Sequence, residues 1–467
     1  MAGVGHRLWR GKLVLFGWFQ RLWRASFSMK DSETSQLQKG AAGWFLLATL
    51  GVSYVISGSF AGWNFGFAVT SWFGMMIAVA LMGLMYFCLV LCLAEMSAAL
   101  PSAAGGYRIS RKVMGDTGGF ATALAVLLEY SIAPAAIVIF IGQYLEALLG
   151  INGPVVYAVF YLLFIGVHLL GVGEALRFML VVTAFAVLAI AITLITLGPH
   201  FSLANLVVAD STESAQQNLL AFDAVSVWAA FPFAMWLFLA VEGVPLAAEE
   251  ANDPAVDLPR GIIGAMLFLL ISAFLIVVFV PGAATSEEVG YYGAPLVDAI
   301  KHVLGEDSVL ADFVNLVGLA GLTASFFSII FGYSRLVFAM SREGYLPRFM
   351  SAISSRKVPH WALIIPGVIG FICSLTGKGE LMINIAVIGA TLSYALQSIS
   401  YILLKRNHAD LHRPYNAPGG QRTAYVTLAL SLLALTSCFA YDVGAALIAL
   451  GLMGLGVGYY VVLGRRA

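Results

Sequence analysis

The chain has 467 residues, 60% of them apolar and 11% charged, with a formal net charge of zero. Soluble domains carry about 25% charged residues, so this balance and a mean hydropathy of +0.91 exclude an ordinary soluble domain. Lipid is the expected surrounding, and no nucleic-acid partner is expected.

Residues 1–42 read as a cytoplasmic N-terminal segment. Leu8, Trp9, Leu13, Leu15, Phe16, Trp18, Phe19 and Trp23 interleave there with Arg7, Arg10, Lys12, Arg21 and Arg24. This is either a basic amphipathic helix lying in the membrane interface or an over-extended start, with initiation at Met29. The stretch lacks the apolar region and small-residue cleavage site of a signal peptide. Twelve apolar runs of membrane-spanning length then begin near Gly43, Trp72, Gly118, Pro154, Ala175, Ala224, Gly261, Ala311, Pro359, Glu380, Ala424 and Val443. Threading them puts all but Lys301 and Lys378 of the 25 Lys and Arg on one face. By the positive-inside rule that face is cytoplasmic, as are both termini, and the location is the inner or plasma membrane. The external loops 198–223 and 282–312 are mostly acidic.

The expected fold is therefore all-α and integral to the membrane, with twelve transmembrane helices. Residues 43–404 form a ten-helix core of two five-helix inverted repeats, about 43–197 and 224–404. A cytoplasmic loop (405–423), two additional helices (424–463) and a cytoplasmic tail (464–467) follow. Cys88, Cys92, Cys373 and Cys438 all lie inside apolar runs, where free cysteine behaves as a small hydrophobe. No metal or cofactor is expected.

Two runs are not smooth helices. The first carries Ser57, Gly58, Ser59 and Gly62 at its centre, and the sixth carries Glu242-Gly243 in mid-run with Pro245 behind. Interrupted spans in corresponding positions of two halves point to a transporter's substrate site. Small-residue packing faces are the alternative. Ionisable side chains at bilayer depth are functional candidates by default, and here they are Glu242 and Glu129. Each suits proton coupling or the counter-ion of a cation, and each would also serve as a hydrogen-bonding carboxyl between helices. Trp236, six residues before Glu242, offers an aromatic face to an ammonium group. Tyr130 and Ser325 are expected to line a cavity; polar packing accounts equally well for Asn315, Ser325 and Ser328. His168 reads as a packing histidine, and Glu95 as a structural carboxylate at a helix end. The seven histidines are scattered, so no catalytic cluster forms and an enzyme is not expected.

Three motifs carry a family resemblance. Ala94-Glu-Met-Ser-Ala-Ala-Leu-Pro-Ser-Ala-Ala-Gly-Gly-Tyr107, Ala248-Glu-Glu-Ala-Asn-Asp-Pro-Ala-Val-Asp-Leu-Pro-Arg-Gly-Ile262 and Tyr333-Ser-Arg-Leu-Val-Phe-Ala-Met-Ser-Arg-Glu-Gly-Tyr-Leu-Pro347 resemble signatures of the amino acid–polyamine–organocation permeases, in order and spacing. Within that superfamily the chain looks most like the ethanolamine permeases, through Val55-Ile-Ser-Gly-Ser-Phe-Ala-Gly-Trp-Asn-Phe-Gly66, Glu129-Tyr-Ser-Ile-Ala-Pro-Ala-Ala136 and Phe238-Leu-Ala-Val-Glu-Gly-Val-Pro-Leu-Ala-Ala-Glu-Glu250. The resemblance implies substrate binding between spans one and six, at Ser57, Gly58 and Ser59 and at Trp236, Ala240, Val241, Glu242 and Gly243. The run from Trp236 to Glu242 also resembles a segment of the arginine–agmatine antiporter, whose tryptophan gates the bound cation and whose glutamate responds to protons. Some proton-coupled relatives carry a lysine in span five, which here reads Phe178-Met-Leu-Val-Val-Thr-Ala-Phe-Ala186 without one. Asp253 stands where the family usually has Asn, a change expected to be without consequence.

The implied function is secondary active import of ethanolamine or a related small amine by alternating access, proton-coupled or potential-driven. Sodium coupling and exchange stay open, as does oligomeric state. An amino acid permease, cationic or neutral, is the alternative.

Overall fold

A computed structural model describes residues 42–102, 105–170, 173–207 and 219–462, with residues 173–180 described as backbone only. The expectations for residues 1–41, for the middle of the 198–223 loop and for the 464–467 tail lie outside the described residues. Helices follow in order: α1, Trp44–Val55 with a continuation Ser57–Phe60; α2, Trp72–Ala99; α3, Tyr107–Leu149; α4, Pro154–Leu170; α5, Gly173–Leu197; α6, in pieces Ala224–Ala229, Phe231–Trp236 and a 3-10 stretch Val241–Ala247. After these come α7, Pro254–Ala283; α8, Val309–Arg342; α9, His360–Ser374; α10, Gly379–Asn407; α11, Gln421–Tyr441; and α12, Val443–Val462. Among the described residues nine segments are long and apolar enough to cross a membrane, while α1, α4 and α9 are shorter apolar helices. Extended pairing among the described residues is one bridge, Ala42 to Ala251.

Helix ends follow local chemistry rather than the limits of the apolar runs. α7 begins at Pro254, not near Gly261, because Asp253 accepts a hydrogen bond from the Ala255 N–H (3.2 Å) as N-cap and proline suits the first helical position. Asp253 therefore has a structural role, one that Asn fills equally well. Likewise α8 begins at Val309, behind the Ser308 cap, and α11 at Gln421. The third helix begins at Tyr107, not near Gly118, and its backbone leaves helical geometry inside at Gly115 (φ 75°). The 282–312 loop is partly helical: Pro295–Leu304 buries Leu296, Val297, Ala299 and Ile300.

Burial separates centre from rim. In its most apolar window α3 is 83% buried and α12 only 22%, so α3 lies at the centre and α12 at the edge. α10 and α8 pack against α3, and α7 packs against α1 and α2. Outward-facing side chains are apolar, among them Leu162 on α4 and Leu455 on α12, as a lipid-facing surface requires.

Candidate functional site at the two broken helices

α1 and α6 lose regular geometry side by side. In α1 the lapse at Ile56 is one residue long, and Ser57, Gly58 and Ser59 are again helical and buried. The larger departure follows at Ala61, which is extended, and Gly62, at φ 97°. In α6 the chain between Trp236 and Val241 is held only by turns, with the Phe238 N–H on the Met235 carbonyl (2.9 Å) and the Val241 N–H on that of Phe238 (3.3 Å). Ala240 takes a left-handed conformation, φ 78°, which costs an L-residue about 1–2 kcal/mol. Its carbonyl accepts from the Tyr130 hydroxyl (3.2 Å) and from the Gly243 N–H (3.0 Å), which hold that turn.

The two breaks interlock. Trp236 is 2% exposed, and its indole N–H donates to the Ala61 carbonyl at 3.0 Å. A Cβ on Gly58 would collide with the Trp236 carbonyl, so that glycine permits a backbone-to-backbone approach. A Cβ on Gly243 would meet the Tyr130 hydroxyl and lie 3.0 Å from the Tyr54 ring. The serine hydroxyls face α8: Ser57 Oγ lies 2.8 Å from Ser325 Oγ, and Ser325 also donates to the Tyr54 carbonyl. Ser53 and Ser328 pair one turn away at 2.8 Å. Ser59 is buried, and its carbonyl accepts from the Trp63 indole at 3.2 Å.

The carboxyls come together where α6 meets α3. Glu129 is 0% exposed and Glu242 7%. Each lies within electrostatic reach of the other, with Tyr394 beside both and Tyr130 beside Glu242. Glu129 Oε1 accepts from the Tyr394 hydroxyl (3.4 Å), which in turn lies 3.1 Å from that of Tyr86. Neither oxygen of Glu242 nor Oε2 of Glu129 has a partner within the strict geometry of a hydrogen bond; the Glu129 carboxyl and the hydroxyls of Tyr394 and Tyr130 lie beside Glu242 as its polar neighbours. The Tyr54 hydroxyl is likewise buried and unpartnered, and its ring meets that of Tyr130 edge-on at 6.1 Å. Val241 and Gly243 flank Glu242 and are buried with it.

Tyr54, Tyr86 and Tyr394 were not among the sequence candidates. Their signal is a phenol in the middle of an apolar run, since a buried tyrosine hydroxyl normally finds a partner. Asn315 is fully buried with both side-chain polar atoms unpartnered. His168 stacks on Phe327 at 3.9 Å and bonds the Phe164 carbonyl through Nδ1 (2.8 Å). Glu95 lies outside the site: its carboxylate meets Lys405, Arg413 (3.1 Å), the Tyr401 hydroxyl and the Ala417 N–H (2.8 Å).

Apolar helices that break beside a buried pair of carboxyls form the constellation of a membrane transporter. The sequence profile described as "Amino acid permease" matches residues 49–462, and the chain belongs to that family. It is a multi-pass membrane protein. The chain is 28% identical to an uncharacterised transporter of Rhizobium meliloti over 85% of each chain. It is 25% identical to the branched-chain amino acid permease BcaP of Bacillus subtilis, over 82% of this chain and 84% of the relative. It is also 25% identical to the methylthioribose transporter of the same species, over 78% and 79%.

Proposed function

We propose that this chain is a secondary active transporter that brings a small ammonium-bearing solute, ethanolamine or a close relative, across the cytoplasmic membrane. The observation that carries the reading is Glu242: 7% exposed, on 3-10 backbone just past the left-handed Ala240, with no Lys, Arg or His paired to it among the described residues. A buried carboxylate with no partner is costly, and an ammonium group supplies both a charge and donors. Trp236 and the surrounding tyrosines offer π-faces to the same cation. Ser57, Gly58 and Ser59 would receive the neutral hydroxyl end.

In this reading 43–197 and 224–404 are inverted repeats, and both termini are cytoplasmic. α1, α2, α6 and α7 rock against α3, α4, α8 and α9. The packing of α7 on α1 and α2, and of α8 on α3, supports that division, and Glu242 meets Glu129 on its boundary. Glu242→Gln keeps the shape and removes the charge. It is expected to weaken ethanolamine uptake into proteoliposomes about 10–100-fold, the worth of a charge-assisted hydrogen bond. Unchanged uptake by a well-folded Gln variant would remove Glu242 as counter-ion.

The second reading, an amino acid permease, draws on the name of the Bacillus relative BcaP. The name of the methylthioribose transporter shows that relatives at this distance are not confined to amino acids. A carboxylate-bearing substrate needs free donors at the α1 break, where the Ser59 N–H is instead on the Ile56 carbonyl (3.0 Å) and the Ala61 N–H on that of Ser57 (3.1 Å). Competition by unlabelled neutral amino acids separates the two readings.

A further inference from the structure

Glu129 is a buried carboxyl to which substrate binding assigns no task. It sits on the central helix, 0% exposed, facing Glu242. Among the described residues no Lys, Arg or His forms an ion pair with either carboxyl; the ion pairs of the chain lie elsewhere. The groups that face the pair are hydroxyls: Tyr394 on α10, Tyr86 on α2, Tyr54 on α1, and Tyr130 on α3 itself. From α8 the charged group nearby in the fold is Arg335, which acts on Tyr54 and is taken by Glu250 at 3.0 Å.

Two adjacent buried carboxylates cannot both be ionised without a cation, because each desolvated charge costs several kcal/mol and they repel. The pair must hold a proton, and the local geometry distinguishes its members. Glu129 lies on regular helix, with Oε1 already accepting from Tyr394 and Oε2 free. Only Oε2 is left to carry a proton. Glu242 lies on the 3-10 stretch that follows the left-handed Ala240 and is 7% exposed against 0% for Glu129, so of the two it is the less enclosed. The unpartnered Tyr54 hydroxyl, buried against Gly243, is a further polar group with nothing in the protein to bond.

We propose that Glu129 keeps its proton throughout the cycle and donates it as a hydrogen bond to Glu242, so that Glu242 alone exchanges a proton for the ammonium of the solute. Glu129 is then a positioning residue. The site carries one exchangeable positive charge, proton or ammonium, and stays neutral in both states. Each ammonium that binds releases one proton from Glu242, with Glu129 unchanged. The inference rests on the amine reading above.

The test is isothermal titration of the purified full chain with ethanolamine, in buffers of different ionisation enthalpy that count protons released. The expected count is one per amine. Glu129→Leu, which cannot donate, is expected to weaken binding about tenfold, near the 1.4 kcal/mol of one hydrogen bond. Glu129→Gln, which can donate, is expected to restore part of that affinity and to keep the count at one. A count of zero in the native protein overturns the proposal, as does a Gln variant that binds but releases nothing, for then Glu129 is the exchanging group. Infrared spectroscopy needs neither variant nor tight binding. The native protein should show a protonated-carboxyl stretch at neutral pH that weakens but survives saturation with ethanolamine. Absence of that band, or its complete loss on saturation, overturns the proposal. If alanine binds and ethanolamine does not, the amine reading fails, and the proton count with alanine still judges the carboxyl pair.

Discussion

Trp236 does two things that substitutions separate. Its indole N–H ties α6 to the Ala61 carbonyl of α1, and in the proposed site its ring, with Phe140 edge-on at 6.2 Å, offers a π-face to the cation. Trp236→Phe removes the hydrogen bond and keeps a ring. It should cost about 0.5–1.5 kcal/mol of stability, read by thermal unfolding in detergent, with ethanolamine affinity lowered a few-fold. Trp236→Leu removes the ring as well and should lower affinity further, since a cation–π contact contributes about 0.5–2 kcal/mol. Equal affinities for Phe and Leu would mean that the ring does not face the cation. At this scale the sequence was partly legible. Glu242 and Glu129 stand out because charge is rare in apolar runs, whereas Trp236 enters only through its place six residues before Glu242 and the family resemblance. Tyr86 and Tyr394 do not, because nothing in one sequence says that α2 and α10 bring two phenols to within 3.1 Å.

The breaks are the elements that matter, and their causes differ. α6 breaks through its own backbone, at the left-handed Ala240. α1 is barely interrupted at Ile56 and departs only at Ala61–Gly62. Of the small residues singled out in the sequence, Ser57, Gly58 and Ser59 therefore mark the region of approach, while Gly62 takes part in the bend itself. Gly58 is small because the Trp236 carbonyl occupies the place of its Cβ, which periodicity cannot reveal. Beyond the α6 break, Glu250 pairs with Arg335 of α8 at 3.0 Å, each side chain 4% exposed, and Arg335 lies over the Phe331 ring at 4.7 Å. Removing one partner of a buried pair strands the other. Arg335→Met is thus expected to destabilise by about 3–5 kcal/mol. The double variant with Glu250→Leu should recover much of the loss, by the same unfolding assay. A single variant as stable as the native chain would show that Glu250 reaches water. Helix existence was legible in the apolar runs; helix ends were not, because caps such as Asp253 and Ser308 extend a helix past its apolar part.

Taken whole, the molecule joins an apolar exterior to a centre of phenols and two carboxyls. The family was legible because its motifs sit at crowded junctions. Gly106 lies where a Cβ would strike Gln397 of α10, and Glu95 gathers Lys405, Arg413 and Tyr401 at the end of α2. These contacts fold residues 405–417 back onto α2, which a reading of 405–423 as a plain loop does not foresee. The substrate is the part least fixed by such junctions, since it depends on which groups remain unpaired at the centre. The most direct test is uptake of labelled ethanolamine by proteoliposomes containing the purified chain, with and without unlabelled neutral and cationic amino acids. The account predicts saturable uptake that these amino acids leave intact. Robust transport of an amino acid with no uptake of ethanolamine would contradict it.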